Sequence, residues 1–240
     1  MANLSYTMPP HTALIIPCLN ERGRAEGFIH EVLEACPEVL VITVDDGSAS
    51  PLGPSDHPRW VCLSYPTNRG KGFAVRHGWN WATENHPGVD ILGFCDADGA
   101  VPAGEIQRLL GLFTASDAGL LIGSRIRMLG RNVERHPSRH YIGRIYATLA
   151  SLMLDLPAYD TQCGCKWIRR AAYDAVAPGL VIDRFAFDAE LIVRVLRKGF
   201  AVREEPVDWQ EKSGSKVRLL RDSWAMWRDL RELQRSLHGS

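Results

Sequence analysis

The sequence has no excess of either charge: 28 basic side chains face 28 acidic ones across 240 residues. A general nucleic-acid binder carries a basic surplus, so no nucleic-acid partner is expected. Long apolar runs are also missing; none approaches the ~18 residues of a membrane span. Residues 1–10 show neither a basic n-region nor an apolar h-region, so no secretory leader is expected. The six cysteines (Cys18, Cys36, Cys62, Cys95, Cys163, Cys165) form no CxxC pair. Four of them sit inside apolar runs, as reduced core cysteines do, which points to a reducing cytoplasm. Cys163-Gly164-Cys165 alone keeps a metal or redox reading open. Walker A and GxGxxG signatures are absent, and so are internal repeats and low-complexity tracts. Disorder is excluded in turn, because 45% of the residues are hydrophobic and 23% charged. The length suits one large α/β unit rather than two.

What is present is alternation. Ala13–Ile16, Val39–Val44, Trp60–Leu63, Ile91–Cys95 and Leu120–Ile122 are short apolar runs with strand character. Between them, Arg24–Cys36, Gly72–Asn85 and Gly104–Phe113 space their apolar residues near 3.6. Such alternation predicts an α/β fold with a mostly parallel central sheet flanked by helices. From Ser48 to Trp60, Pro51, Pro54 and Pro58 forbid a regular helix, so the second crossover is expected to be a loop. Further on, Phe187–Lys198 reads as a helix ended by Gly199. Arg139–Leu156 and Val217–Leu237 each carry an apolar helical stripe. The second, with Trp224 and Trp227 among arginines, suits either packing or an interfacial helix at a membrane.

Ligands of open α/β sheets sit beyond the carboxyl ends of the strands. Here those ends are polar. Asp96-Ala97-Asp98-Gly99 offers two carboxylates that can converge on one hard cation, though the same residues also make an ordinary turn. Asp45-Asp46-Gly47-Ser48 can hydrogen-bond a ribose or a base, provided donors relieve the repulsion of adjacent carboxylates. Pro17-Cys18-Leu19-Asn20-Glu21 ends the first run, where Asn20 could instead cap a helix. Asn68-Arg69-Gly70-Lys71-Gly72 opens a helix with a cation suited to a phosphate, or is a plain loop. Residues 121–147 hold six arginines, at 125, 127, 131, 135, 139 and 144, against the single acid Glu134. They read as a site for an anion or as a solvated basic face.

Taken in order with Gly123-Ser124-Arg125, Asp160–Lys166, Phe187–Leu191 and Trp209 with Gly214–Val217, these motifs resemble the family-2 glycosyltransferases of the GT-A fold. Within that family the series looks like the dolichyl-phosphate (polyprenyl-phosphate) glucosyltransferase branch, over roughly residues 13–230. The resemblance implies that Pro17, Leu19, Asn20, Glu21, Asp45 and Asp46 line a nucleoside pocket with Lys71 near it. Asp96, Ala97 and Asp98 would face the diphosphate, Asp96 and Asp98 holding Mg2+ or Mn2+. Asp160 would orient the sugar, Arg125 with Arg131, Arg139 and Gln162 would hold an acceptor phosphate, and Ser215 and Lys216 would close over the donor. Asp160, Arg125 and Asp98 are the residues expected to act in catalysis. Two features depart from the family pattern: the proline loop stands where a helix is usual, and Cys165 where Phe is common.

The implied reaction is inverting transfer of a hexose, glucose from UDP-glucose, to a polyprenyl or dolichyl phosphate. GDP-mannose as donor, or a soluble acceptor, is the alternative. Residues 12–125 would form the nucleotide-binding part and 126–240 the acceptor part of one domain, working peripherally at the cytoplasmic membrane face, with a homo-oligomer left open. A binding module without turnover would be expected to lack one of the paired aspartates. A nucleotidyltransferase would place glycines directly after the first strand, where this chain has none.

Overall fold

The computed structural model describes residues 11–134, 153–154, 156–184, 186–212, 228–231 and 233–235. Each apolar run of the first half becomes a strand: β1 (Thr12–Cys18), β2 (Val39–Asp46), β3 (Trp60–Tyr65), β4 (Ile91–Cys95) and β5 (Leu120–Ser124). Helices α1 (Arg22–Ala35), α2 (Lys71–Asn85) and α3 (Ala103–Thr114) lie between them. There follow β6 (Val133–Glu134), β7 (Cys165–Arg169), α4 (Arg170–Val176), α5 (Phe187–Arg197), β8 (Val202–Pro206) and β9 (Trp209–Gln210). Seven strands form one sheet in the order β3-β2-β1-β4-β7-β5-β8, and β6 pairs with β9 in a short ribbon. Within the large sheet only β7 runs antiparallel, between β4 and β5.

Alternation along the strands feeds two apolar layers, as the two-residue side-chain period requires. On one face Ala13, Ile15, Leu40, Ile42 and Val44 meet Val75, Trp79 and Ala82 of α2, Tyr173 of α4 and Leu191 of α5. On the other, Leu14, Ile16, Val39 and Val41 meet Phe28, Ile29 and Val32 of α1 and Ile106, Leu109 and Phe113 of α3. Leu154, Leu156, Leu230 and Leu233 belong to the first layer. The described ends of the two C-terminal stripes therefore pack on the sheet; the remainder of both stripes lies outside the described residues.

The proline segment forms no helix, as its composition requires. Arg59 pins its end by donating to the carbonyls of Leu33 and Cys36 at the end of α1 and of Val39 at the start of β2. All six cysteines are free, and five are buried. Cys163 and Cys165 are core residues on either side of a backbone turn, and no cluster of three metal-binding side chains occurs among the described residues.

The antiparallel β7 needs a close approach at Gly93, its partner across from Trp167. A Cβ on Gly93 would lie 2.3 Å from the Trp167 ring, while the Gly93 carbonyl already accepts from Trp79 Nε1 at 3.0 Å. Gly93→Ala should therefore cost about 1–3 kcal/mol through overpacking. Thermal unfolding would show this as a fall of about 2–4 °C per kcal/mol. Combining it with Trp167→Leu should cost less than the two changes summed, because the second removes the clash of the first.

Candidate active site

The C-terminal ends of β1, β2, β4 and β5 face one edge, and because β7 is antiparallel the segment before it arrives there too. The Asp96 N–H donates to the Gly164 carbonyl at 2.9 Å, which sets residues 160–164 against the Asp96-Ala97-Asp98 turn. Gly164 leaves the room: a Cβ there would sit 1.8 Å from Asp96 Oδ2. Ala97 is buried between the two aspartates. Asp98 Oδ1 accepts from the Ala100 N–H at 3.0 Å, and burial, then the charge of Asp96, raise the Asp98 carboxyl above the usual carboxylate range. Two crowded carboxylates, Asp98 partly desolvated and Asp96 open to solvent over a glycine, fit a hard divalent cation, with water and phosphate oxygens supplying the remaining ligands.

Behind this pair lies a chain of alternating charges. Lys71, the first residue of α2, places Nζ 2.8 Å from Asp96 Oδ1 and 3.8 Å from Asp188 Oδ2. Lys166 is fully buried and donates to Asp188 Oδ1 at 2.5 Å and to the Cys163 carbonyl at 2.7 Å. Both ammonium groups lie over the Phe94 ring, at 4.9 and 5.2 Å from its centroid. Burial opposes the Lys71 charge, but Asp188 and Asp96 outweigh it and hold its pKa above the ordinary lysine value. Lys166 and Asp188 lie inside the sequence motifs, yet no sequence signal assigned them a role, because 22 residues separate them and only the fold joins them.

Arg125 and Asp160 form a second centre. The Asp160 carboxylate accepts from the Arg125 backbone N–H at 2.9 Å, Nε at 2.7 Å and Nη2 at 2.8 Å, and from the Gln162 N–H at 3.3 Å. Glu204 of β8 fixes the approach by accepting the N–H groups of Tyr159 and Asp160. Arg125 also lies 5.8 Å from the centroid of Trp209. Burial and the Asp160 charge push the neighbouring Cys163 thiol up to about 12, so that sulfur is an inert thiol. Around this pair Ser124 Oγ, Thr161 Oγ1 and Gln162 Nε2 are buried without a hydrogen-bond partner. Buried orphaned polar atoms are costly unless a ligand or water meets them.

The remaining expected residues tie the strand ends together. Asp46, buried at the end of β2, accepts from Asn68 Nδ2, Arg69 N–H and Gly70 N–H at 3.1, 2.7 and 2.8 Å. Those donors relieve the repulsion from Asp45, which itself accepts from the Ser48 N–H at 2.8 Å. The Arg69 and Gly70 amides are thus spent on a carboxylate rather than left open for a phosphate. Asn20, at φ 53°, does not cap α1; its side chain accepts from Ala49 N–H at 3.0 Å and its N–H donates to Ser48 Oγ at 2.7 Å. Glu21 is bound by Arg24. Pro17 and Leu19 are half-buried beside them. Arg131 reaches Glu105 of α3 at 3.2 Å. Arg139, Ser215 and Lys216 lie outside the described residues.

A family model described as glycosyl transferase family 2 matches residues 13–177. The dolichyl-phosphate beta-glucosyltransferase of Saccharomyces cerevisiae is 29% identical over 91% of this chain and 72% of its own length. The polyprenol monophosphomannose synthase of Mycolicibacterium smegmatis is 30% identical over 90% of this chain and 86% of its own. Among solved structures, glucosyl-3-phosphoglycerate synthase from Mycobacterium tuberculosis, in complex with Mn2+, UDP and glucosyl-3-phosphoglycerate, superposes with a TM-score of 0.67 at 17% identity. The match covers 93% of this chain and 78% of that one. A Pyrobaculum calidifontis mannosyltransferase in complex with GDP-Man and Mn2+ follows at 0.57 and 18%, covering 94% and 61%. The family match and the fold together define a glycosyltransferase of the GT-A type. The chain belongs to glycosyl transferase family 2.

The buried charge chain makes a prediction of its own. Asp188→Ala leaves Lys166 desolvated and unpaired, at a cost of about 3–5 kcal/mol in urea denaturation. The double change Lys166→Met with Asp188→Leu should restore most of that stability. Turnover of the double variant should still fall by about tenfold, the equivalent of ~1.4 kcal/mol, because Lys71 has lost its second counter-ion. Full activity in the refolded double variant would reduce the chain to a packing device.

Proposed function

We propose that the enzyme transfers glucose from UDP-glucose to a polyprenyl or dolichyl phosphate, by a single in-line displacement that inverts the anomeric carbon. Residues 12–125 form the nucleotide part of the reading and 126–240 the acceptor part. The observation that carries it is the state of the carboxylates at the sheet edge. Asp160 already accepts four N–H groups, Asp188 is bound to Lys166, Asp96 to Lys71, and Asp46 to three donors. A hydroxyl acceptor needs a base to remove its proton. None of these neutralised groups is poised for that work, and Asp98, with one N–H partner, is taken up by the cation in this reading, whereas a phosphomonoester, with a second pKa near 6, arrives already anionic.

In this reading the phosphate oxygen forms the new bond to the sugar as the bond from that carbon to the UDP oxygen breaks. Asp160 holds the Nε–Nη2 edge of Arg125 and so aims the guanidinium, whose remaining Nη hydrogens are left to hold the attacking phosphate. Ser124, Thr161 and Gln162, with unmet hydrogen-bond capacity, meet sugar hydroxyls or the acceptor. Asp96 and Asp98 hold Mg2+ or Mn2+, which when bound neutralises charge on the departing diphosphate. Two neighbours of the same fold hold Mn2+ beside a nucleotide, in keeping with that assignment. Lys71 adds a fixed cation beside it. Relatives named for glucose and for mannose match almost equally well, so GDP-mannose is the second donor to test.

The deciding experiment offers UDP-glucose and GDP-mannose, each with a long-chain polyprenyl phosphate and Mn2+, and follows lipid-linked sugar. Glucose transfer that stops in EDTA is expected. Asp98→Asn should lower kcat by about 100-fold or more with the fold intact. Equal turnover in EDTA removes the metal assignment, and preference for GDP-mannose replaces the donor. Arg125→Lys, which keeps the charge and loses the fork, should raise the acceptor KM while leaving UDP affinity, measured by calorimetry, nearly unchanged.

A further inference from the structure

Four large apolar side chains are strongly exposed among the described residues: Met128, Leu129, Tyr159 and Val181. Three of them lie within four residues of the Arg125–Asp160 ion pair. Leu129 is 98% exposed and sits with Met128 in a turn closed by the Arg131 N–H to the Met128 carbonyl at 3.2 Å. The turn is anchored at both feet: Arg125 is bound by Asp160, and Arg131 by Glu105. Tyr159 leads directly into Asp160, so it emerges beside the same ion pair. Between the feet, Arg127 is exposed and makes no ion pair among the described residues. A Met-Leu tip held out in water on a braced turn, with an exposed cation beside it, marks an interaction surface.

We propose that the Met128–Leu129 turn, together with Tyr159, is a membrane anchor that inserts at the headgroup–acyl boundary of an anionic bilayer. The inference rests on the reading of a lipid phosphate as acceptor. Charge favours this partner: Arg127 lies in the turn, exposed and without an ion pair among the described residues, as an anionic surface requires. Length favours it as well. Four residues separate Arg125 from Leu129, a reach of at most ~14 Å at 3.3–3.6 Å per residue. The headgroup layer of one leaflet is roughly 5–8 Å thick. With Leu129 at the acyl boundary, that reach is long enough for Arg125 to meet the phosphate plane, where the phosphate of a membrane-embedded isoprenoid is found. The turn thereby sets the depth at which the site meets its acceptor.

The test uses the full chain and phosphatidylcholine vesicles with and without phosphatidylglycerol, read by co-sedimentation at low salt. Wild type should partition onto the anionic vesicles. Met128→Ser with Leu129→Ser should weaken that partition by about tenfold or more, since burial of one leucine side chain alone is worth at least that ratio. Leu129→Trp should strengthen it, because the indole favours the interface. All three proteins should melt alike and glycosylate a short, water-soluble prenyl phosphate at the same rate, with the long-chain acceptor in vesicles suffering only in the serine variant. Equal partition of wild type and the serine variant overturns the anchor, as does wild type remaining in solution. Loss of a dimer in the serine variant also overturns it, by assigning the patch to a protein contact. Partition as expected without transfer to any long-chain polyprenyl phosphate leaves the anchor standing and removes the acceptor reading instead.

Discussion

Asp188 is the residue on which the site most depends, because it stands between two lysines that could not otherwise share the interior. Lys166 is wholly buried, and among the described residues only Asp188 and a single backbone carbonyl receive its ammonium. An unpaired ammonium at that depth would neutralise or unfold the region. With Asp188 in place the charge survives, and the other oxygen of the same carboxylate faces Lys71. A helix residue thus fixes the strand β7 on one side and the first residue of α2 on the other. Through Lys71 it reaches Asp96, so the electrostatics of the paired aspartates after β4 are set from a helix distant in sequence.

The same economy governs the strand ends. Adjacent or near-adjacent carboxylates occur at the ends of β2 and β4, and each needs a cation or a set of N–H donors to remain ionised. At β2 the donors are backbone amides before α2, so the structure there closes on itself. At β4 the relief is incomplete: Asp96 has Lys71, whereas Asp98 has one N–H and a raised pKa. That imbalance separates a carboxylate serving the fold from one left available to a ligand. Asp45-Asp46 and Asp96-Ala97-Asp98 look alike as strings of residues, and only the donors around them tell their work apart.

This is also the boundary of what the sequence made legible. Strands β1 to β5 and helices α1 to α3 were readable because each carries a continuous apolar run or a clear helical period. The strand β7 was not, since Cys-Lys-Trp-Ile-Arg places a charged lysine in its middle, and that lysine is internal only because Asp188 meets it. Strand β8 escaped notice because Val-Arg-Glu-Glu-Pro, at the sheet edge, keeps polar residues half-exposed. The aspartate pair, Lys71, Arg125 and Asp160 were named from motif order; that Arg125 and Asp160 bind each other follows from β7 turning antiparallel and delivering residues 160–164 to the same edge. Ser124 and Thr161 lie inside those motifs without a legible role, as buried hydroxyls at a strand end and a turn carry no periodic signal.

The charges gathered at the edge finally bear on why a divalent ion belongs in the proposed reaction. Lys71, Lys166 and Arg125 are three fixed cations against the four carboxylates Asp96, Asp98, Asp160 and Asp188, so the protein's own charge at this centre is slightly negative. A nucleotide diphosphate and a lipid phosphate would bring several further negative charges into a partly desolvated pocket. The three resident cations are already committed to carboxylates, and an arginine or lysine cannot serve two anions at full strength. Neutralising the donor therefore calls for charge imported with it, and Asp96 with Asp98 is where the imbalance invites that charge. On the proposed reading the protein keeps its own salt bridges intact through turnover, and the mobile counter-ion travels with the substrate.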